Sequence, residues 1–473
     1  MSKAMRVMVL AGAAAGMCTG AFAQEQETVD TDQVRAVVRE MLADAESRSS
    51  LLEGESVAGY NGKNFYLASS DGKFTMNFAG YTQFRYVASF AQNNPNGTPS
   101  RAANDSFDSG FTNRLTKLQM FGTWLSKDWG YMIEVRLLDS SGNGAAQADD
   151  LYITYKIDQQ LRLMFGQYKL RFMREENLSD TTTMAAERGP IALAFGQSRS
   201  QGMQLQWVQD EMSAWVDVSD GFRTRNSNWN ANGVNAINGP SESDFCVSGR
   251  FQYRFAGTED ALRQYTSKPG DPLSCQAGIA AAYEQGLDDP AYVNGAPPLP
   301  PGTNAKYQYL TYTIDTQVQG DGFGLYAAFV GANTDFRNPN PTTQRSGSNL
   351  VDLGAAVQGS WRFTENLEFF GRGDWIGLSD KRNLPAGSRE NNFFVTTGFN
   401  YYIAGQAAKV TLDAIISLNP TNAMSSNTSS IVPNGNPNNN GAGRIFTTSG
   451  AIGLLGSSQG GETAIRLQFQ GMF

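Results

Sequence analysis

From Lys73 onward the chain alternates between apolar and polar positions. Phe74, Met76, Phe78, Gly80, Thr82, Phe84, Tyr86, Ala88 and Phe90 share one face, and Thr75, Asn77, Ala79, Tyr81, Gln83, Arg85 and Ser89 the other, with Val87 an apolar exception. A period of two predicts a β-strand. This one is long enough to cross a bilayer, apolar outside and mostly polar inside. Similar runs lie near 113–126, 129–139, 149–158, 161–169, 201–209, 212–219, 244–256, 273–284, 305–318, 323–333, 350–364, 366–378, 391–403, 407–418 and 461–473. About sixteen strands are therefore predicted.

The connections alternate in length. Short turns fall at Ser126-Lys127-Asp128, Asp158-Gln159-Gln160, Gln209-Asp210-Glu211, 319–322, Thr364-Glu365-Asn366 and Ala404-Gly405-Gln406. Long polar segments fall between them, near 91–111, 170–200, 220–243, 285–304, 334–349, 379–390 and 419–443. Short turns on one rim and long loops on the other describe a bacterial outer-membrane barrel. The connection 257–272 departs from the rule, being long on the short-turn side, and 444–460 fits neither side cleanly. A soluble sandwich or propeller is disfavoured, because faces such as Phe393, Val395, Phe399, Tyr401 and Ile403 would be left in water. The fold class expected is thus all-β: a transmembrane antiparallel barrel of about sixteen strands over 61–473, preceded by a short periplasmic helical segment and linker over 24–60.

That helical segment is the one stretch with a longer period. Val34, Val37, Val38, Met41, Leu42, Ala45 and Leu52 recur at helical spacing within 28–53. The stripe fits a short coiled coil between protomers, or equally a frayed helix or linker. Ahead of it, Lys3 and Arg6 precede an apolar run over 7–17, and Ala21-Phe22-Ala23 supplies a small-x-small cleavage pattern. Residues 1–23 read as a signal peptide, too short in its apolar part to span a membrane. No later stretch reaches about 18 consecutive apolar residues, so a membrane location for the exported chain requires a closed barrel.

Composition removes much chemistry. The 473 residues include no histidine, which excludes Ser-His-Asp and Cys-His catalysis and histidine-based metal sites. No catalytic residue, metal or cofactor is expected. The net charge of -8 argues against a nucleic-acid partner. Cys246 and Cys275 remain after cleavage; their opposite strand facings make a disulfide geometrically poor, and two free thiols are the simpler reading.

A sixteen-stranded barrel encloses an aqueous channel, so solute choice falls to the inward face and to any loop folded into the lumen. The segment 170–200 is the candidate, with Arg171, Arg174 and Arg188 set among Glu175, Glu176, Asp180 and Glu187, and with Lys169 at its approach. Thr181–Arg188 has the composition of a short helix. The alternative is one more solvated outer loop.

At this point the sequence resembles the phosphate-selective porin O and P family of trimeric anion channels. The likeness is carried by the opening strand Gly72–Gln83, by Asp149-Asp150-Leu151-Tyr152-Ile153-Thr154-Tyr155 with Leu163-Met164-Phe165-Gly166-Gln167, and by Phe172 and Glu175 ahead of Ala186-Glu187-Arg188. The closing Ile465-Arg466-Leu467-Gln468-Phe469 also fits, and terminal Phe473 looks like the signal read by the barrel-assembly machinery. The resemblance spans roughly 73–473 and implies an outer-membrane homotrimer in contact with lipid. It implies a constriction that includes Arg188 and Asp149, with Glu187 beside Arg188. Glu176 stands where the family has a lysine, Tyr81 and Gln167 replace arginines, and an arginine pair is reduced to Arg114-Leu115. Lys117, Arg114, Arg250 and Arg254 are the lumen-facing cations left to replace the thinned ladder; Arg85 and Arg136 also qualify. The alternative is that they only satisfy lumen carboxylates such as Glu134, Asp352, Glu368 and Asp374.

The expected function is passive diffusion of small hydrophilic solutes and ions, with at most a weak preference for phosphate-like anions. The alternative is a structural protein that tethers the envelope through its N-terminal helix.

Overall fold

The structure, a computed structural model, describes residues 56–92, 106–139, 146–222, 224, 226, 241–288, 305–337, 349–381, 389–421, 452–456 and 458–473. The signal peptide, the helical stripe at 28–53 and most long loops lie outside the described residues.

Two short strands, β1 (Ser56–Tyr60) and β2 (Phe65–Ser69), precede sixteen longer ones. These are β3 (Thr75–Ala91), β4 (Phe107–Trp124), β5 (Ser126–Asp139), β6 (Gln147–Lys156), β7 (Leu161–Lys169), β8 (Arg199–Gln209), β9 (Met212–Ser219) and β10 (Ser241–Ala256). They continue as β11 (Ser274–Asp288), β12 (Ala305–Gly320), β13 (Phe323–Arg337), β14 (Asn349–Arg362), β15 (Leu367–Gly377), β16 (Asn391–Tyr402), β17 (Ala408–Ser417) and β18 (Glu462–Met472). Each pairs antiparallel with the next, and β18 pairs back onto β3 from Glu462↔Ala91 to Met472↔Tyr81. The sheet is therefore closed, as the alternation requires: an open edge among lipid would leave amide groups without partners.

The alternation is plain in β16, where Phe393, Val395, Phe399 and Tyr401 point outward while Asn392, Thr396 and Asn400 are buried inside. The short turn expected at Ser126-Lys127-Asp128 lies where the β4–β5 ladder becomes irregular. Regular pairing ends at Thr123↔Gly130, one further pair joins Trp124 to Ser126, and Leu125 between them has φ of 61°.

β18 pairing stops at Tyr81, six residues short of the β3 start at Thr75, and Phe473 extends the seam by one more residue. Gly80 N–H donates to Phe473 O at 2.7 Å, and Phe473 N–H returns to Gly80 O at 2.9 Å. Below it β2 takes over the same β3 edge, from Phe65↔Phe78 to Ala68↔Thr75. Any side chain at 80 would start 2.6 Å from the Phe473 ring. Gly80→Val is therefore expected to displace Phe473 and open the seam. A lower yield of the heat-modifiable folded form on cold SDS gels is the measurement; unchanged yield would show the seam tolerates it.

The lumen is mostly polar, as the alternation predicts, but not uniformly so. Tyr309, Tyr326, Phe370, Ile376, Phe394 and Ile415 point inward from β12–β17 and are buried. They form one apolar cluster with Phe172, Met173, Ile191 and Phe195 of the segment 170–198. The loop is thus held by a core inside the barrel, and burial of such side chains stabilises by roughly 1.5–3 kcal/mol each. The two cysteines are free thiols, Cys246 buried and Cys275 half-buried.

Candidate functional site

The segment 170–198 leaves β7 on the long-loop rim and folds inward. Its helices are α1 (Arg174–Asn177) and α2 (Pro190–Phe195). Thr181–Arg188, expected to be helical, is instead a run of turns and bends. Its carbonyls are taken up by wall side chains, so a helix's own ladder is not needed. Gln470 Nε2 donates to Thr181 O at 2.9 Å, Lys409 Nζ to Thr183 O at 2.9 Å, Asn400 Nδ2 to Met184 O at 2.8 Å and Arg85 Nη2 to Ala186 O at 2.6 Å.

Charged groups brace the segment in three places. Glu187 accepts from Arg114 Nε at 2.6 Å and lies 3.4 Å from Arg85 Nη2. Arg114 is the extra residue where Gln83↔Leu115 is followed by Phe84↔Asn113, and such a bulge re-aims its side chain. Arg372 lies 3.5 Å from Glu175 and 3.1 Å from Asp374. Arg188 pairs with Asp180 and donates to Glu175 O at 3.1 Å and Leu178 O at 2.8 Å. Burial opposes ionisation of Glu187, yet Arg114 and Arg85 outweigh it and hold its carboxyl down at about 2. Burial likewise opposes ionisation of Asp180, but Arg188 and Lys117 lead the cations that keep it well below the usual carboxylate range.

Between the segment and the wall of β3–β8 lies a cavity of about 210 Å³. Lys117, Lys169, Arg171 and Arg199 line it, together with Glu134, Asp150 and Asp180. Lys117 lies 2.8 Å from both Glu134 and Asp149 and 3.3 Å from Asp180. Arg199 reaches Asp150 at 2.7 Å, Glu134 at 2.8 Å and Asp149 at 3.7 Å. Arg136 takes the other side of Asp149 at 3.0 Å. In a regular strand Asp149 and Asp150 would face opposite ways, and one would meet lipid at a cost of up to a few kcal/mol. The pairing shifts between Ile133 and Val135, where β5 meets β6, and both carboxylates reach lumen cations.

Two cavity cations are different. Lys169 donates to Glu176 O at 3.1 Å, and the Arg171 guanidinium lies 5.7 Å over the Trp215 ring. Among the described residues neither has a carboxylate within ion-pair distance. The Arg171 guanidinium stays charged and, facing a cavity without a paired carboxylate, attracts anions, with the Lys169 amine as a further donor.

The expected site residues are therefore spread over several environments. Asp149 is at the wall network and Lys117 at the cavity. Arg188, expected near the narrowest point, is turned into the segment and is not among the cavity-lining residues. Glu176, expected at the eyelet, accepts from the Gln197 and Ser198 N–H groups at 2.8 and 2.6 Å, and so ties the two ends of the segment together. Glu187 and Arg114 form a brace. Arg250 is locked in a two-pronged pair with Asp315 at 2.7 and 2.8 Å. Arg254 donates to Asp210 O at 2.7 Å, beside the short turn between β8 and β9, away from the cavity. The residues missed as unpaired cavity cations are Lys169 and Arg171. Their signal was position: they stand where β7 ends and the inward segment begins.

A family model described as phosphate-selective porin O and P matches residues 89–432. Comparison with curated proteins found no match. Among solved structures, an anion-selective porin from Comamonas acidovorans is similar at 9% identity, covering 84% of this chain and 99% of that one, with a TM-score of 0.49. The outer-membrane channel DcaP of Acinetobacter baumannii is similar at 12% identity, covering 88% and 100%, with a TM-score of 0.49. The outer-membrane OmpT of Vibrio cholerae is similar at 10% identity, covering 84% and 98%, with a TM-score of 0.47.

Proposed function

This chain belongs to the phosphate-selective porin O and P family, an outer-membrane porin, and from that premise we propose that solutes cross beside the β3–β8 wall, past Lys169 and Arg171. The observation that carries the reading is the cavity lined by two cations with no carboxylate partner among the described residues. The other charges along the path are paired, so their long-range fields largely cancel. In a confined, partly dehydrated passage the two unpaired cations set the sign of selectivity. The result is a diffusion channel with modest anion preference and weak phosphate block. The working form is a homotrimer in outer-membrane lipid, inserted by the barrel-assembly machinery through Phe473.

The test is reversal potential in planar bilayers under a salt gradient. Lys169→Ala with Arg171→Ala should shift selectivity several-fold toward cations and abolish phosphate block. Arg188→Ala is the contrast, because that side chain braces the segment. It should raise current noise more than it changes ion sign. If the Lys169/Arg171 double variant keeps the wild-type reversal potential, the passage does not run past them.

A further inference from the structure

The connection between β10 and β11 is seventeen residues long, whereas the other turns on that rim are short. It does not hang into solvent. Leu262 is fully buried, and Tyr265, Thr266 and Ser267 are nearly so. A rim turn whose side chains vanish from water must be folded back into the barrel.

Its partners show where it goes. Gln319 Nε2 donates to Ala261 O at 2.8 Å, and Gln317 Nε2 to Gln264 O at 2.6 Å, both from the inner face of β12. Ser267 Oγ donates to Phe323 O at 2.8 Å, and the Tyr265 ring lies 4.9 Å from that of Tyr326, so the segment continues across β13. Any side chain at Gly324 would start 2.1 Å from Tyr265 O, so the glycine admits this close approach. Gln406, in the turn between β16 and β17, donates from Nε2 to Gln264 Oε1 at 3.2 Å. The segment therefore chords across the barrel mouth from β10–β11 to β16–β17. From the opposite side Arg174 of α1 reaches down and donates to Leu262 O.

We infer that residues 258–268 form a periplasmic floor that closes the β11–β16 sector of the lumen. Together with the inward segment 170–198, the floor sets the size limit of the channel. The apolar cluster stands in the same sector, while the cavity is lined from β3–β8. The barrel is thus divided into a filled half and a passing half. This inference rests on the channel reading above and adds the element that makes the passage eccentric.

The test is to replace Thr258–Lys268 with a two-residue Asn-Gly turn in the full-length protein. Single-channel conductance should rise by about twofold, and liposome swelling should admit larger sugars, because pore cross-section limits both. If the shortened chain does not yield heat-modifiable barrel, Gln317→Ala with Gln319→Ala removes the floor's main donors and leaves the backbone intact. That variant should flicker to a larger conductance level. A conducting wild type whose folded floor variants keep the wild-type conductance and size limit overturns the floor alone. A wild type and floor variants that are all silent overturn the channel reading and with it the floor. A silent wild type with a conducting floor variant supports the floor and overturns the open β3–β8 passage.

Discussion

Arg199→Ala is expected to produce the largest loss of anion preference of any single substitution, turning the channel toward cations. Its guanidinium is shared by Asp150, Glu134 and Asp149. Asp150 and Glu134 face the cavity, and Asp150 has its short ion pair with this residue. Removing one partner of a buried pair leaves an uncompensated charge, worth roughly 3–5 kcal/mol when buried. Here the uncompensated charge is negative and faces the solute. Arg199→Lys should fall between, because an ammonium keeps the charge and loses the planar fork that holds two carboxylates at once. The reversal-potential shift should be largest at low salt and fade near 1 M, where the screening length is about 3 Å. A folded Arg199→Ala channel with wild-type selectivity would mean that ions do not pass along β3–β8.

The barrel was legible because one rule, alternation, acts on every strand. Lipid demands an apolar outer face, closure demands neighbours for every amide, and the turn lengths report the two rims. The strands agree with the reading to within a few residues, with the long-loop ends extended, as for β4 starting at Phe107. The inner half-core was also written in the sequence, as doublets. Phe369-Phe370, Phe393-Phe394 and Tyr401-Tyr402 cannot both face lipid, since successive residues point to opposite sides. One of each pair is outside and exposed; Phe370, Phe394 and Tyr402 are inside and buried. Apolar residues inward over β12–β17 mean that something apolar fills that half, and the Phe172, Ile191 and Phe195 side chains are what does. The site was less legible because charge type does not encode pairing. Arg188 and Lys169 look alike on paper. Which one has a carboxylate depends on how a turn-rich segment lies against a wall, and only three-dimensional placement decides that. The β5–β6 irregularity that brings both Asp149 and Asp150 inward is likewise set by strand register. The long connection 257–272 was visible as an exception, and its exception was functional in form: a turn that has no need to be long is folded into the lumen.

Glu187→Gln should unlock the inward segment. Glu187 is the carboxylate that faces both Arg85, which is fully buried, and Arg114. The substitution keeps the shape and removes the charge, leaving the Arg85 and Arg114 guanidinium groups close together without the carboxylate between them. Arg85 keeps its bonds to Ala186 O and Gln468 Oε1, so the barrel seam survives. The segment loses its Glu187 anchor to β3 and β4, while Tyr81 and Gln83 still hold Asp180, and its Glu187 end should loosen. The expected result is a folded, heat-modifiable barrel whose single-channel current switches among several levels where the wild type shows one. Acid should imitate the variant. The Glu187 carboxyl is held from an ordinary 4.5 down to about 2. A depressed folded value means the stabilisation is fully present above the ordinary carboxylate range and is lost as pH falls through the folded value. Wild-type conductance should therefore stay steady from neutral pH to about pH 3 and turn noisy only near pH 2. Glu187→Gln should be noisy throughout and insensitive to acid in that window. A wild-type channel that turns noisy already near pH 4–5, or a quiet Glu187→Gln channel, would show that the segment is held by its apolar core and its Arg188 brace without help from this carboxylate.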